Sequence, residues 1–163
     1  MQTFKLVHLI QYHSEKLAGS LLRQVQMSER AASYCNVPSI ELKDRVYEIY
    51  HHVGSWLLDK SENDIDQRYM AIGTRRTGQD VPLSELVWVV LLTKSTLYKF
   101  IDDVSLPGAA GDMAEKQELL QRLDQFFDQA VYATVVGYEQ AAKPGARPPQ
   151  AAIKTRTETG RAS

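Results

Sequence analysis

The sequence predicts an all-α protein, a compact bundle of about five helices. Apolar residues recur at steps of three and four along almost the whole of positions 1–142, and no two neighbouring segments show sustained alternation. Breaks are few: Pro38, Ser61, the stretch from Gly78 to Pro82, and the run LPGAAGD at 106–112. Each interval between them is long enough for a helix and too long for a typical strand.

Phe4, Val7, Ile10, Leu17, Leu21 and Val25 propose a first helix near 3–34. Straight, it would run about 48 Å, whereas a domain of this size has a radius of gyration of only about 14–15 Å. It must therefore bend, with Gly19 the expected hinge, or project and favour a dimer. The second helix starts at Pro38 and carries Leu42, Val46, Ile49, Val53 and Leu57 on one face. Ser61 caps the third, with Glu62 and Asp64 at the positive end of its dipole and Gly78 as its stop. Its inner face, Ile65, Tyr69 and Ile72, ends in the cation Arg76. The fourth, VPLSELVWVVLLTKSTLYKFIDDV, is apolar on nearly every side between 86 and 92, so it is central. The fifth, after Asp112, lines up Leu120, Leu123, Phe127, Ala130 or Val131, Thr134 and Tyr138.

At 163 residues, 44% hydrophobic and 24% charged, there is room for one globular domain and no second catalytic one. Residues 143–163 hold five cations against Glu158 alone, with Pro144, Pro148 and Pro149 and no aromatic residue. They predict a disordered basic tail behind a single domain, 1–142. A net charge of −1 argues against a protein that coats nucleic acid or an anionic membrane. No stretch reaches the roughly 18–20 apolar residues that cross a bilayer, and the lone Cys35 suits a reducing cytoplasm.

Phosphate-cradling GxGxxG and GxxxxGK[ST], the GxSxG elbow, HExxH and the DxDxDG calcium loop are all absent. His51 and His52 are consecutive and diverge by about 100° on a helix, and His8 and His13 are five apart, so no metal pair is signalled. No cofactor is expected. The competing reading is haem on an axial His51, beside Tyr47, Gly54 and Leu58, or a small ligand in a globin-like protein; a boundary histidine with one wet face accounts for His51 more simply.

Lys94 is the more informative residue. It stands four after Val90, three before Leu97 and four before Tyr98, on or beside the densest apolar stripe, where an ammonium must snorkel, pair with an acid or face a cavity. With Arg76 on the helix before and Tyr69, Trp88 and Tyr98 in register, it would line a pocket for a small anion or polar ligand. Structural pairing to Glu48 or Asp66 explains it equally simply. A buried amine could also support covalent chemistry, but no motif names a substrate, so no enzyme is expected.

The stretch 52–101 has Trp56 and Leu57 ending one helix, an acidic helix start, Tyr69 followed by Gly73 and Arg76, a turn from Gly78 to Pro82 and Leu83, and Lys94 and Leu97 on a hydrophobic helix. In these features it resembles the amino-terminal sensory domain of the RsbRD, or RsbT co-antagonist, family of bacterial proteins. About 50 residues match well, and the general layout extends to roughly 130. The resemblance implies a helical input module, globin-like without haem in some branches and usually joined to a STAS, kinase or transcription-regulator output. It brings no catalytic residues. It also implies an unidentified signalling partner and a chain that is either cut from a longer protein or acts alone through that partner; a homodimer is expected from the length of the first helix.

Overall fold

The computed structural model describes residues 2–59, 62–104 and 110–143. The Ser61 cap, the break at 105–109 and the tail beyond 143 lie outside these residues, as do the side chains of Phe4, Glu62 and Asp64. Every regular element among the described residues is helical: α1 Gln2–Tyr12, α2 Ser14–Met27, a 3-10 segment Glu29–Asn36, α3 Ser39–Asp59, α4 Glu62–Thr77, α5 Leu83–Val104 and α6 Ala110–Ala142.

The expected first helix is therefore three pieces. It bends at His13, where φ and ψ are −96° and 11°, and not at Gly19, which sits inside α2. The cause is local, because the Ser14 hydroxyl donates back to the Ile10 carbonyl at 2.8 Å, a bond that competes with the helical ladder and tilts the turn. A second break falls at Ser28, whose backbone is extended, and 3-10 geometry follows. Bent in this way, α1 lies against α3 and buries Leu6, Val7 and Ile10. The argument for a dimer from a projecting first helix no longer holds.

The later helices keep their expected places. Pro38 precedes α3, and its carbonyl accepts from the Leu42 N–H at 3.0 Å. Between α4 and α5 the left-handed residue is Asp80, with φ 54°, and not Gly78. Aspartate tolerates that region better than most side chains, and the turn closes with Val81 N–H donating to the Arg76 carbonyl at 3.3 Å. In α3 the buried stripe runs through Leu42, Val46, Tyr50, Val53 and Leu57, and Tyr50 satisfies its hydroxyl on the Thr93 carbonyl of α5 at 2.9 Å. Burial raises the Tyr50 pKa above its ordinary value, so the phenol remains a donor.

Among the described residues the closest packing is between α4 and α6. At 33 residues, α6 is about 50 Å long, and it buries Leu119, Leu123, Phe126, Phe127, Ala130 and Ala133. Near its end the two backbones touch. A Cβ on Gly73 would fall 2.0 Å from the Thr134 carbonyl oxygen, and one on Gly137 would fall 2.1 Å from that of Met70. Only glycine allows this approach at both places. By contrast, α3 and α4 are not among the closely packed helix pairs.

Candidate functional site

The gap between α3 and α4 opens as a cleft of about 310 Å³, with Arg45, Ile49 and His52 from α3 facing Arg68, Tyr69 and Ile72 from α4. Arg45, Ile49, Tyr69 and Ile72 also line a narrow inner crevice of about 30 Å³, little more than the space of one water. The crevice continues between Leu86, Val89 and Val90 of α5 and Phe127 of α6. Its polar end is Arg76, 2% exposed. Tyr69, also 2% exposed, stands at the junction with its ring edge-on to Phe126 at 5.7 Å between centroids. Trp56 and His52 surround the same phenylalanine at 5.2 and 6.1 Å.

Arg76 reaches this position because it follows Ile65, Tyr69 and Ile72 on the inner stripe of α4. Its Nη1 donates to Gln79 Oε1 at 2.6 Å and to Glu41 Oε1 at 3.2 Å, while its Nε has no hydrogen-bond partner. Its guanidinium carbon lies 5.7 Å from the Tyr34 ring centroid. Burial pushes the Tyr34 hydroxyl up to about 12, against the opposing pull of Arg76, so it stays protonated. Glu41, on the first turns of α3, is the hub. It accepts from Arg75 Nε, from Arg76, and from Gln79 Nε2 at 3.1 and 3.2 Å. The Arg75 hydrogen bond, helped by Gln79 and outweighing the cost of burial, lowers the Glu41 carboxyl from its usual 4.5 to about 2. Sequence reasoning missed Glu41, since its partners are 34 to 38 residues away and nothing local marks it.

Of the five residues that sequence nominates, the structure brings Tyr69 and Arg76 together and places the other three elsewhere. Lys94 is partly exposed and pairs with Asp124 of α6 at 2.9 Å, in place of Glu48 or Asp66. Its ammonium lies 5.4 Å from the Tyr98 ring centroid. The Tyr98 hydroxyl donates to the same Asp124 and to the Leu120 carbonyl, and the three side chains clip α5 to α6. Hydrogen bonds from Lys94 and then Tyr98 hold Asp124 below the usual carboxylate range. Trp88 points to the other side of α5, where its Nε1 donates to Ser28 Oγ at 3.0 Å and Arg30 stacks over the ring at 4.7 Å. His51 is exposed, lines neither cavity and lies against Tyr47 at 6.1 Å, so nothing in this site favours haem. Among the described residues no group of three His, Cys, Asp or Glu side chains converges as metal ligands.

The family model described as histidine kinase N terminal matches residues 4–140. The chain belongs to that family. Such domains are the sensory input part of histidine kinases and are not themselves catalytic, so a signalling input module is the function at its coarsest. The match corrects the RsbRD resemblance and the globin-like reading attached to it. That resemblance rested on helix ends, a glycine-to-proline turn, and Tyr69, Gly73, Arg76, Lys94 and Leu97 on two helices within 52–101. These are punctuation and packing features that unrelated helical bundles share, whereas the histidine kinase match spans nearly the whole helical body. No curated protein and no solved structure matches this chain. No described helix is long and apolar enough to cross a membrane.

Proposed function

We propose that this chain is a non-enzymatic input module that senses a small ligand bearing an anionic group and acts, as a cytoplasmic homodimer, through contacts with a signalling output protein. One observation carries the ligand reading: a nearly fully buried arginine, with Nε unpartnered, ends an apolar crevice that is continuous with an open cleft. Burying a guanidinium is costly unless its donors are satisfied, so a ligand that completes its partners binds favourably there. Arg76 supplies the charge-assisted contact and Tyr69 sits on the path inward. Lys94, Tyr98 and Trp88 hold helices together in this reading. A homodimer of this kind would cover apolar side chains that are open on the surface of the single chain, such as Tyr12, Leu91 or Tyr132.

A thermal-shift panel of small carboxylates and phosphates tests this. At a hundredfold excess over its dissociation constant, a ligand adds about 2.7 kcal/mol of stability. At least one member should raise the midpoint of the native protein and leave Arg76→Met unmoved. An identical response in both proteins overturns the assignment of Arg76. Sedimentation that finds only monomer overturns the dimer.

A further inference from the structure

The inner crevice, as it stands, admits nothing much larger than a water, so access to Arg76 requires α3 and α4 to part. Three features determine how they can. First, α4 cannot slide or rotate on α6, because Gly73 and Gly137 place each backbone against the other with no compressible side chain between them, and Thr74 Oγ1 adds a hydrogen bond to the Gly137 carbonyl at 3.3 Å. Second, the turn after α4 is fastened to α6 as well, since Tyr138 donates to the Val81 carbonyl at 2.8 Å. Third, α3 and α4 make no close helix packing along the cleft, and the polar bridge across their end is Glu41, gripping Arg75, Arg76 and Gln79. Packed interfaces are bistable and do not deform continuously, so such a body moves as a unit about its weakest seam.

We propose that α4, the 78–82 turn and α6 form one rigid body that opens against α3, with Glu41 as the latch across the seam. The anionic-ligand reading gives this motion its use, because an anion at Arg76 competes with Glu41 for the same guanidinium. The motion itself is independent of any ligand.

The test uses nitroxide pairs in the full chain with Cys35→Ser, at exposed positions on α3 (Asp44→Cys), α4 (Ala71→Cys) and α6 (Glu139→Cys), read by pulsed electron–electron resonance. Glu41→Gln should lengthen or broaden both the 44–71 and the 44–139 distances and leave 71–139 unchanged. Gln79→Leu, which removes two of the hydrogen bonds to Glu41 but keeps the charges, is the milder variant and should give the same pattern at smaller amplitude. Lengthening of 44–71 with 44–139 fixed would show α4 moving alone and overturn the rigid body. Unchanged distances in both variants would overturn the latch. Ligand-induced stabilisation without any distance change would leave the input reading standing and remove the hinge.

Discussion

Gly137→Ala adds a single methyl group at a point where the structure leaves it no room. The new Cβ would sit 2.1 Å from the Met70 carbonyl oxygen and 2.7 Å from the Met70 Cα and carbonyl carbon, all of them backbone. No rotamer change relieves the clash. Restoring an ordinary contact of about 3.4 Å requires α4 and α6 to separate by more than 1 Å, which loosens the layer of Tyr69, Phe126, Phe127, Ala130 and Ala133 between them. Overpacking costs typically about 1–3 kcal/mol and occasionally more, and a rigid backbone obstacle belongs at the top of that range. Alanine returns about 1 kcal/mol of helix propensity, leaving a net loss of about 2 kcal/mol. In a domain of this size that is a fall of about 6–8 °C in Tm. Gly19→Ala is the control, because it lies inside α2 with no atom within 4 Å of the added carbon and should gain up to about 1 kcal/mol. Paired urea titrations read both. If Gly137→Ala unfolds at the same or a higher midpoint than the native protein, the α4–α6 contact is not as close as described and the argument for a rigid pair fails with it.

Lys94→Met keeps the aliphatic stem packed and removes only the ammonium. Since Lys94 and Asp124 are both partly exposed, the loss should stay below about 1 kcal/mol in urea unfolding; a loss of 3 kcal/mol would mean a buried, stranded carboxylate. The Glu41 carboxyl, held at about 2 against its usual 4.5, contributes stability that is complete above the unfolded value and disappears as pH falls toward the folded one. The stability difference between the native protein and Glu41→Gln should thus be flat near neutrality, shrink below about pH 4.5 and vanish near pH 2; a difference that persists unchanged at pH 2 would refute the charge-based latch.

The fold was largely legible because its boundaries are chemical. Pro38 and the stretch from Gly78 to Pro82 punctuate the chain before α3 and between α4 and α5, and Val7, Ile10, Leu17, Leu21 and Val25 do point inward as their spacing requires. The bend at His13 was not legible, since it comes from one serine rotamer bonding backward, which competes on equal terms with an unbent helix. Half of the site could be read: an arginine and a tyrosine on the apolar stripe of one helix have to face something. The acid opposite Arg76 and the acid opposite Lys94 could not, because Glu41 and Asp124 are chosen by how far neighbouring helices slide past each other, and that offset has no local signature. Gly73 and Gly137 did leave a trace, as two mid-helix glycines in positions where alanine would favour the helix.

Tyr138 stands only five residues before Lys143, where the described fold ends, a distance of about 8 Å along a helix axis. Through the Val81 carbonyl it touches the turn whose Gln79 holds both Glu41 and Arg76. Arg76, the most buried cation among the described residues, and Lys143, the last of them, therefore occupy one pole of the bundle. If Arg76 takes a ligand as proposed, the change it undergoes lies less than two helical turns of α6 from Lys143.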